Sequence, residues 1–153
     1  MMRRMFLLCV VLAMVSLVWI SQGFGETIRW KMATSWPKGT ILQDCAQDFA
    51  DQVSAMSGGR LDIKTYAAGE LMGALEVLEG IQMGTIDMAH CSPSYQVGKL
   101  PAGPLFGYTP FGMTAVPYLT WMYEGEGFEL YQELYARMKL GYAAPFGILP
   151  MEH

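Results

Sequence analysis

Positive charge, histidine and cysteine are all scarce in this sequence. Ten Lys and Arg stand against fourteen Asp and Glu, a net charge of −4 over 153 residues. A nucleic-acid surface needs clustered Lys and Arg, and no such cluster is present. The two histidines are His90 and His153, and there is no His-Glu-x-x-His. Gly-x-Ser-x-Gly, a Walker glycine loop and a Gly-x-Gly-x-x-Gly fingerprint are missing too. Cys9, Cys45 and Cys91 follow no metal-ligand spacing. An enzyme is therefore short of parts. A base at His90 has only Cys91 and Asp87 nearby, and on an extended strand Asp87 points to the opposite face from His90. The other reading of His90 is a polar group near a strand mouth. Neither a metal nor a cofactor is expected.

The N-terminus is more informative. Arg3 and Arg4 precede a greasy run from Phe6 to Ile20, and Ser21, Gly23 and Gly25 follow. That is the layout of an export signal, with cleavage near Gly23–Gly25, and the run is short for a permanent anchor. The paired arginines also fit twin-arginine export, so that route and the general secretory route both stay open. Cys9 reads as one more apolar residue of the run. Residues 26–153 then carry eight Lys and Arg against fourteen Asp and Glu, a net charge of −6. The mature chain is expected to be periplasmic. Cys45 and Cys91 are expected as free, buried thiols, with pairing the alternative in an oxidising compartment.

Periodicity then sets the architecture. Ile28, Trp30 and Met32 alternate with Arg29 and Lys31, predicting a strand over Thr27 to Thr34. Ile41, Cys45, Phe49, Val53 and Met56 recur at helical spacing, predicting a helix over Thr40 to Met56 with Asp44, Asp48 and Asp51 outward. Gly58 and Gly59 end it. A second strand runs from Leu61 to Tyr66 and a second helix from Met72 to Gln82, with Leu75, Leu78 and Ile81 on one side. A third strand spans Thr85 to Cys91. Strand, helix, strand, helix, strand predicts an α/β fold with an open, mainly parallel sheet flanked by helices. Beyond it the pattern predicts a short helix over Ser92 to Lys99, a lining loop over Leu100 to Gly112 and a helix over Thr114 to Tyr123. A further helix spans Phe128 to Met138 with Leu130, Leu134 and Met138 inward, and a strand spans Tyr142 to Phe146. The acidic run Glu124, Glu126, Glu129 and Glu133 reads as a solvated helix face.

In an open parallel sheet, ligands sit beyond the carboxyl ends of the strands. Those ends supply Trp36, Tyr66 or Tyr95, and the hydroxyls of Ser35, Ser92 and Ser94. Aromatic walls and hydroxyls suit a small polar organic ligand. Free amides near Gly39 to Leu42 favour a carboxylate. Pro37 and Gly39 turn the chain sharply and leave Trp36 to wall a cleft, the alternative being a packed core ring.

ATSWPKG (33–39), FADQVSAMSGGRLDIKTYAAGEL (49–71), EVLEGIQMGTIDMAHCSPSYQVGK (76–99) and PFGMTA (110–115), in that order behind an export signal, resemble the periplasmic solute-binding proteins of TRAP transporters. The likeness is greatest to the branch that takes 2-oxo acids and other small organic carboxylates. The resemblance implies a two-lobed periplasmic-binding-protein-like fold that closes on an organic acid and hands it to a membrane permease. It also implies a carboxylate-binding arginine in the segment after the first lobe. Arg29, Arg60 and Arg137 match no such position. Site roles carry over to Trp36, Tyr95 and Phe111, which would supply shape and stacking. Residues 26–153 are expected to form a truncated first lobe, with the second lobe missing and apolar surface left uncovered. The alternatives are a free-standing secreted interaction domain, or an enzyme using His90.

Overall fold

The computed structural model describes residues 26–107 and 110–145; the export signal expected over 1–25 lies outside the described residues. Three strands, β1 (Ile28–Thr34), β2 (Leu61–Tyr66) and β3 (Met88–His90), form one parallel sheet in the order β2-β1-β3. Ile28 lies opposite Leu61 on one side of β1, and Thr34 lies opposite His90 on the other. Between the strands run α1 (Ile41–Met56) and α2 (Val77–Gln82). A 3-10 turn (Pro93–Gln96) follows β3, then α3 (Gly103–Gly107), α4 (Ala115–Glu124) and α5 (Gly127–Ala136). Among the described residues no helix is long and apolar enough to cross a membrane.

The first helix obeys its local signals. Thr40 is extended and its hydroxyl accepts from the Gln43 amide at 3.4 Å, while also donating to the Pro37 carbonyl at 2.8 Å. Gly58 and Gly59 both have positive φ, which lets the chain reverse into β2. The buried stripe is rotated from the expected one. Ala46 and Ala50 meet Met32 and Ile63, with Phe49 and Val53 flanking, while Ile41 and Met56 are exposed at the helix ends. Small residues let the helix axis approach the sheet, so the alanines occupy the closest line. The alternation in β1 is likewise only half used: Ile28 and Trp30 are exposed, and burial begins at Met32.

Elsewhere side chains take backbone groups that regular structure would need. Over Met72 to Glu76 the Glu76 carboxylate accepts from the Gly73 amide at 2.8 Å, so α2 starts at Val77 and leaves Leu75 exposed outside it. The Asp87 carboxylate accepts from the Lys31 amide at 2.8 Å while the Asp87 amide donates to the Lys31 carbonyl at 3.0 Å, and the strand expected over Thr85 to Cys91 narrows to Met88–His90. Gln132 binds both the amide and the carbonyl of Ala143, and residues 142–145 form no strand. The expected loop over Leu100 to Gly112 contains α3, because Gly103 and Gly107, four apart, let that turn lie directly on Pro93 and Ser94. On α5 the buried residues are Gly127, Tyr131 and Tyr135, with Leu134 and Met138 half-buried and Leu130 exposed. The two tyrosines pack beside Leu78, Leu100 and Met122 in the largest apolar cluster.

Candidate functional site

The strand order creates the opening. The chain leaves central β1 toward β2 on one side, and later returns to β3 on the other. The connections therefore diverge beyond the carboxyl ends of β1 and β3, the usual place for a ligand crevice. Ser35 and Trp36, which follow β1, tie all three exits together. The Ser35 amide donates to the His90 carbonyl at 2.9 Å, and the Trp36 carbonyl accepts from the Ala68 amide beyond β2, also at 2.9 Å. The Ser35 hydroxyl donates to the Ala74 carbonyl at 2.5 Å, so it anchors the segment before α2.

Side chains gather at the same point. The Trp36 indole N–H donates to His90 Nδ1 at 3.1 Å, and the two rings meet edge-on at 5.6 Å. Tyr95, on the 3-10 turn, tilts against the indole at 5.7 Å. Trp36 is 9% exposed, whereas Tyr95 is 45% exposed. Beneath them the Thr34 hydroxyl donates to Gln43 Oε1 at 2.5 Å, and both residues are buried. Ser92 starts the turn, its hydroxyl accepting from the Ser94 amide at 3.3 Å. Gln96, also buried, donates to the Leu75 carbonyl at 3.2 Å.

Of the three residues singled out from the sequence, Trp36 and Tyr95 come together. Phe111 does not join them: it is 98% exposed, with φ +58, and contacts neither ring. A positive φ on an aromatic residue is uncommon. Tyr66, at the second strand mouth, lies under Lys64 Nζ at 5.1 Å instead. The arginines are elsewhere: Arg29 lies in the exposed half of β1, Arg60 precedes β2, and Arg137 pairs with Glu133 on α5. Sequence reasoning missed Gln43 and Gln96, buried polar residues that bond to Thr34 and to the Leu75 carbonyl. It also missed the pairing of His90 with Trp36, which depends on the opposition of Thr34 and His90 across the sheet.

Among the described residues, the groups considered for catalysis are engaged elsewhere. His90 Nδ1, needed as a base, is occupied by the indole. The Asp87 carboxylate is turned to the Lys31 amide. Burial pushes the Cys91 thiol up to about 12, so it is not a ready nucleophile. Cys45 and Cys91 are both free thiols. Among the described residues no three His, Cys, Asp or Glu side chains gather as a metal site.

This architecture is shared. The profile of the bacterial extracellular solute-binding proteins, family 7, matches residues 32–142. A monocarboxylate 2-oxoacid-binding periplasmic protein of a Nostoc strain is 40% identical over 115 residues, 74% of this chain and 31% of that protein. A TRAP solute-binding protein of Pseudoalteromonas atlantica, solved with sodium and pyruvate, superimposes with a TM-score of 0.70 at 33% identity, over 73% of this chain and 34% of that one. One from Colwellia psychrerythraea, solved with calcium and pyruvate, gives 0.70 at 31% identity, with the same coverage of 73% and 34%. The chain thus spans about a third of the length of these relatives. With its parallel sheet and a match over most of its length, the chain belongs to family 7 of the bacterial extracellular solute-binding proteins, the family of periplasmic TRAP solute-binding proteins.

Proposed function

We propose that residues 26–153 are the first lobe of a TRAP-type binding protein, made with an export leader over 1–25. It captures a small monocarboxylate of the 2-oxo acid class and delivers it to a membrane permease. The observation that carries this reading is the meeting of Trp36 and Tyr95, 5.7 Å apart, beyond the carboxyl ends of β1 and β3. The relatives named for 2-oxo acids and solved with pyruvate support the ligand class. Tyr95 offers a half-exposed ring with a hydroxyl, suited to the short carbon chain and oxo group of such a ligand. Phe111, held out on its strained loop, stacks from the second lobe's side once the two lobes meet. The aromatic cluster contains none of the described arginines, so the charge that balances the carboxylate comes from the second lobe or from a cation bound with the ligand. Closure of two lobes then excludes water around that charge.

The test is calorimetric titration of the protein, continued into the reading frame that follows His153, with pyruvate, 2-oxobutyrate and glucose. Each titration is run with and without sodium and calcium. Saturable binding of the two oxo acids, none of glucose, and about tenfold weaker binding by Tyr95→Ala are expected. Equal binding of glucose, or no heat with either oxo acid, overturns the ligand class.

A further inference from the structure

We propose that His90 is a positioning residue: through its hydrogen bond to Trp36 it sets the attitude at which Tyr95 meets the ligand. This rests on the reading of the aromatic cluster as a ligand wall. An indole nitrogen can only donate, so His90 Nδ1 presents a lone pair to it, and the ring proton sits on Nε2. The main chain at Trp36 is already fixed toward β2 by Ala68 and toward β3 by the bond between Ser35 and His90. Packing confines the indole, and the bond to His90 adds the one directional restraint on its two side-chain torsions. Trp36 is nearly covered and its one polar atom is used, so it offers a ligand little surface of its own. Tyr95 is exposed and leans on the indole. The order of dependence therefore runs from His90 to Trp36 to Tyr95, with His90 touching no ligand itself.

Two variants separate this role from plain packing. His90→Phe keeps a ring in place and removes the acceptor; His90→Asn keeps an acceptor near the Nδ1 position in a smaller side chain. In the full-length protein, nitrogen-15 NMR of the histidine ring should show Nδ1 bare and Nε2 protonated. The Trp36 indole proton, assigned by its loss in Trp36→Phe, should exchange with solvent far more slowly than that of exposed Trp30. His90→Phe should speed that exchange and weaken pyruvate binding about tenfold, and His90→Asn should restore most of both. A protonated Nδ1, an indole proton that exchanges as fast as that of Trp30, or Phe and Asn variants with the same exchange and affinity overturns the proposal. If the unaltered protein binds no oxo acid, the ligand reading fails, and with it the step from Trp36 to Tyr95. The bond itself is then decided by the exchange data alone.

Discussion

Small residues join α1 to the sheet, whereas rings join α4 and α5 to the rest. On the first side Ala46 and Ala50 lie against Met32 and Ile63. On the second, Phe106, Trp121, Tyr131 and Tyr135 form a chain of ring contacts, with Phe106 at 5.3 Å from Tyr131 and Tyr131 at 4.8 Å from Tyr135. The first side is held by a backbone ladder that any sequence of the right pattern can form. The second depends on particular shapes. The candidate site lies at the seam, with Trp36 on the first side and Tyr95 leading into the second. Ala89 and Cys91 touch both the aromatic cluster and the smaller one around Ala33, Val77 and Ile86.

The largest effects should come from opening each core with the same change. Met32→Ala and Met122→Ala remove equally buried side chains from the two sides, and each should cost about 2–5 kcal/mol. Met32 adjoins Ala33 on β1, and the Ala33 cluster shares Ala89 and Cys91 with that of Met122, so both variants should shift one urea transition, seen alike by circular dichroism and tryptophan fluorescence. Two transitions, with Met122→Ala moving only one, would show that the halves are independent. Next comes Gly103→Ala, whose new methyl would lie 2.5 Å from the Pro93 carbonyl oxygen. The turn under Tyr95 must then shift, for a loss of about 1–3 kcal/mol in the denaturation midpoint.

Alkali probes the aromatic side selectively. Burial raises the Cys91 thiol and the Tyr135 hydroxyl to about 12, each above its ordinary value, and raises Tyr131 further. A group whose pKa is raised by folding stabilises the fold fully below its unfolded value. Stability should therefore hold up to about pH 9 and fall as pH climbs toward about 12. Urea midpoints across that range measure the slope, and Cys91→Ala should remove its lower part. A flat profile would mean that the ring cluster admits water. The smallest effect belongs to the surface: Arg137→Ala breaks an exposed pair with Glu133 and should change stability by less than about 0.5 kcal/mol.

The contrast between the two sides also explains what the sequence made legible. β1, α1 and β2 follow from alternation, helical spacing and the Gly58-Gly59 stop, all local signals. The burial stripe of α1 was misplaced because hydrophobicity points to Cys45 and Met56, while close approach favours Ala46 and Ala50. The end of the chain was harder still. Gln132 reaching Ala143, and Glu76 reaching Gly73, are side-chain bonds that no periodicity encodes. At the site, Trp36 and Tyr95 could be named from their place after strands. Their contact, and the part of His90 in it, required the parallel register of β1 with β3.

That register has a consequence for the order of assembly. β1 lies in the middle of the sheet, but its partner β3 arrives more than fifty residues later, with Met32 opposite Met88. The unit of β1, α1 and β2 closes over shorter separations and can form first. The contact at the strand ends is finished only when His90 docks beside Thr34, so it is expected to form after the β1-α1-β2 unit. By the same reasoning the β1–β3 edge is expected to open before the β1-α1-β2 unit when the native state fluctuates, which faster hydrogen exchange of the Ser35 amide would show.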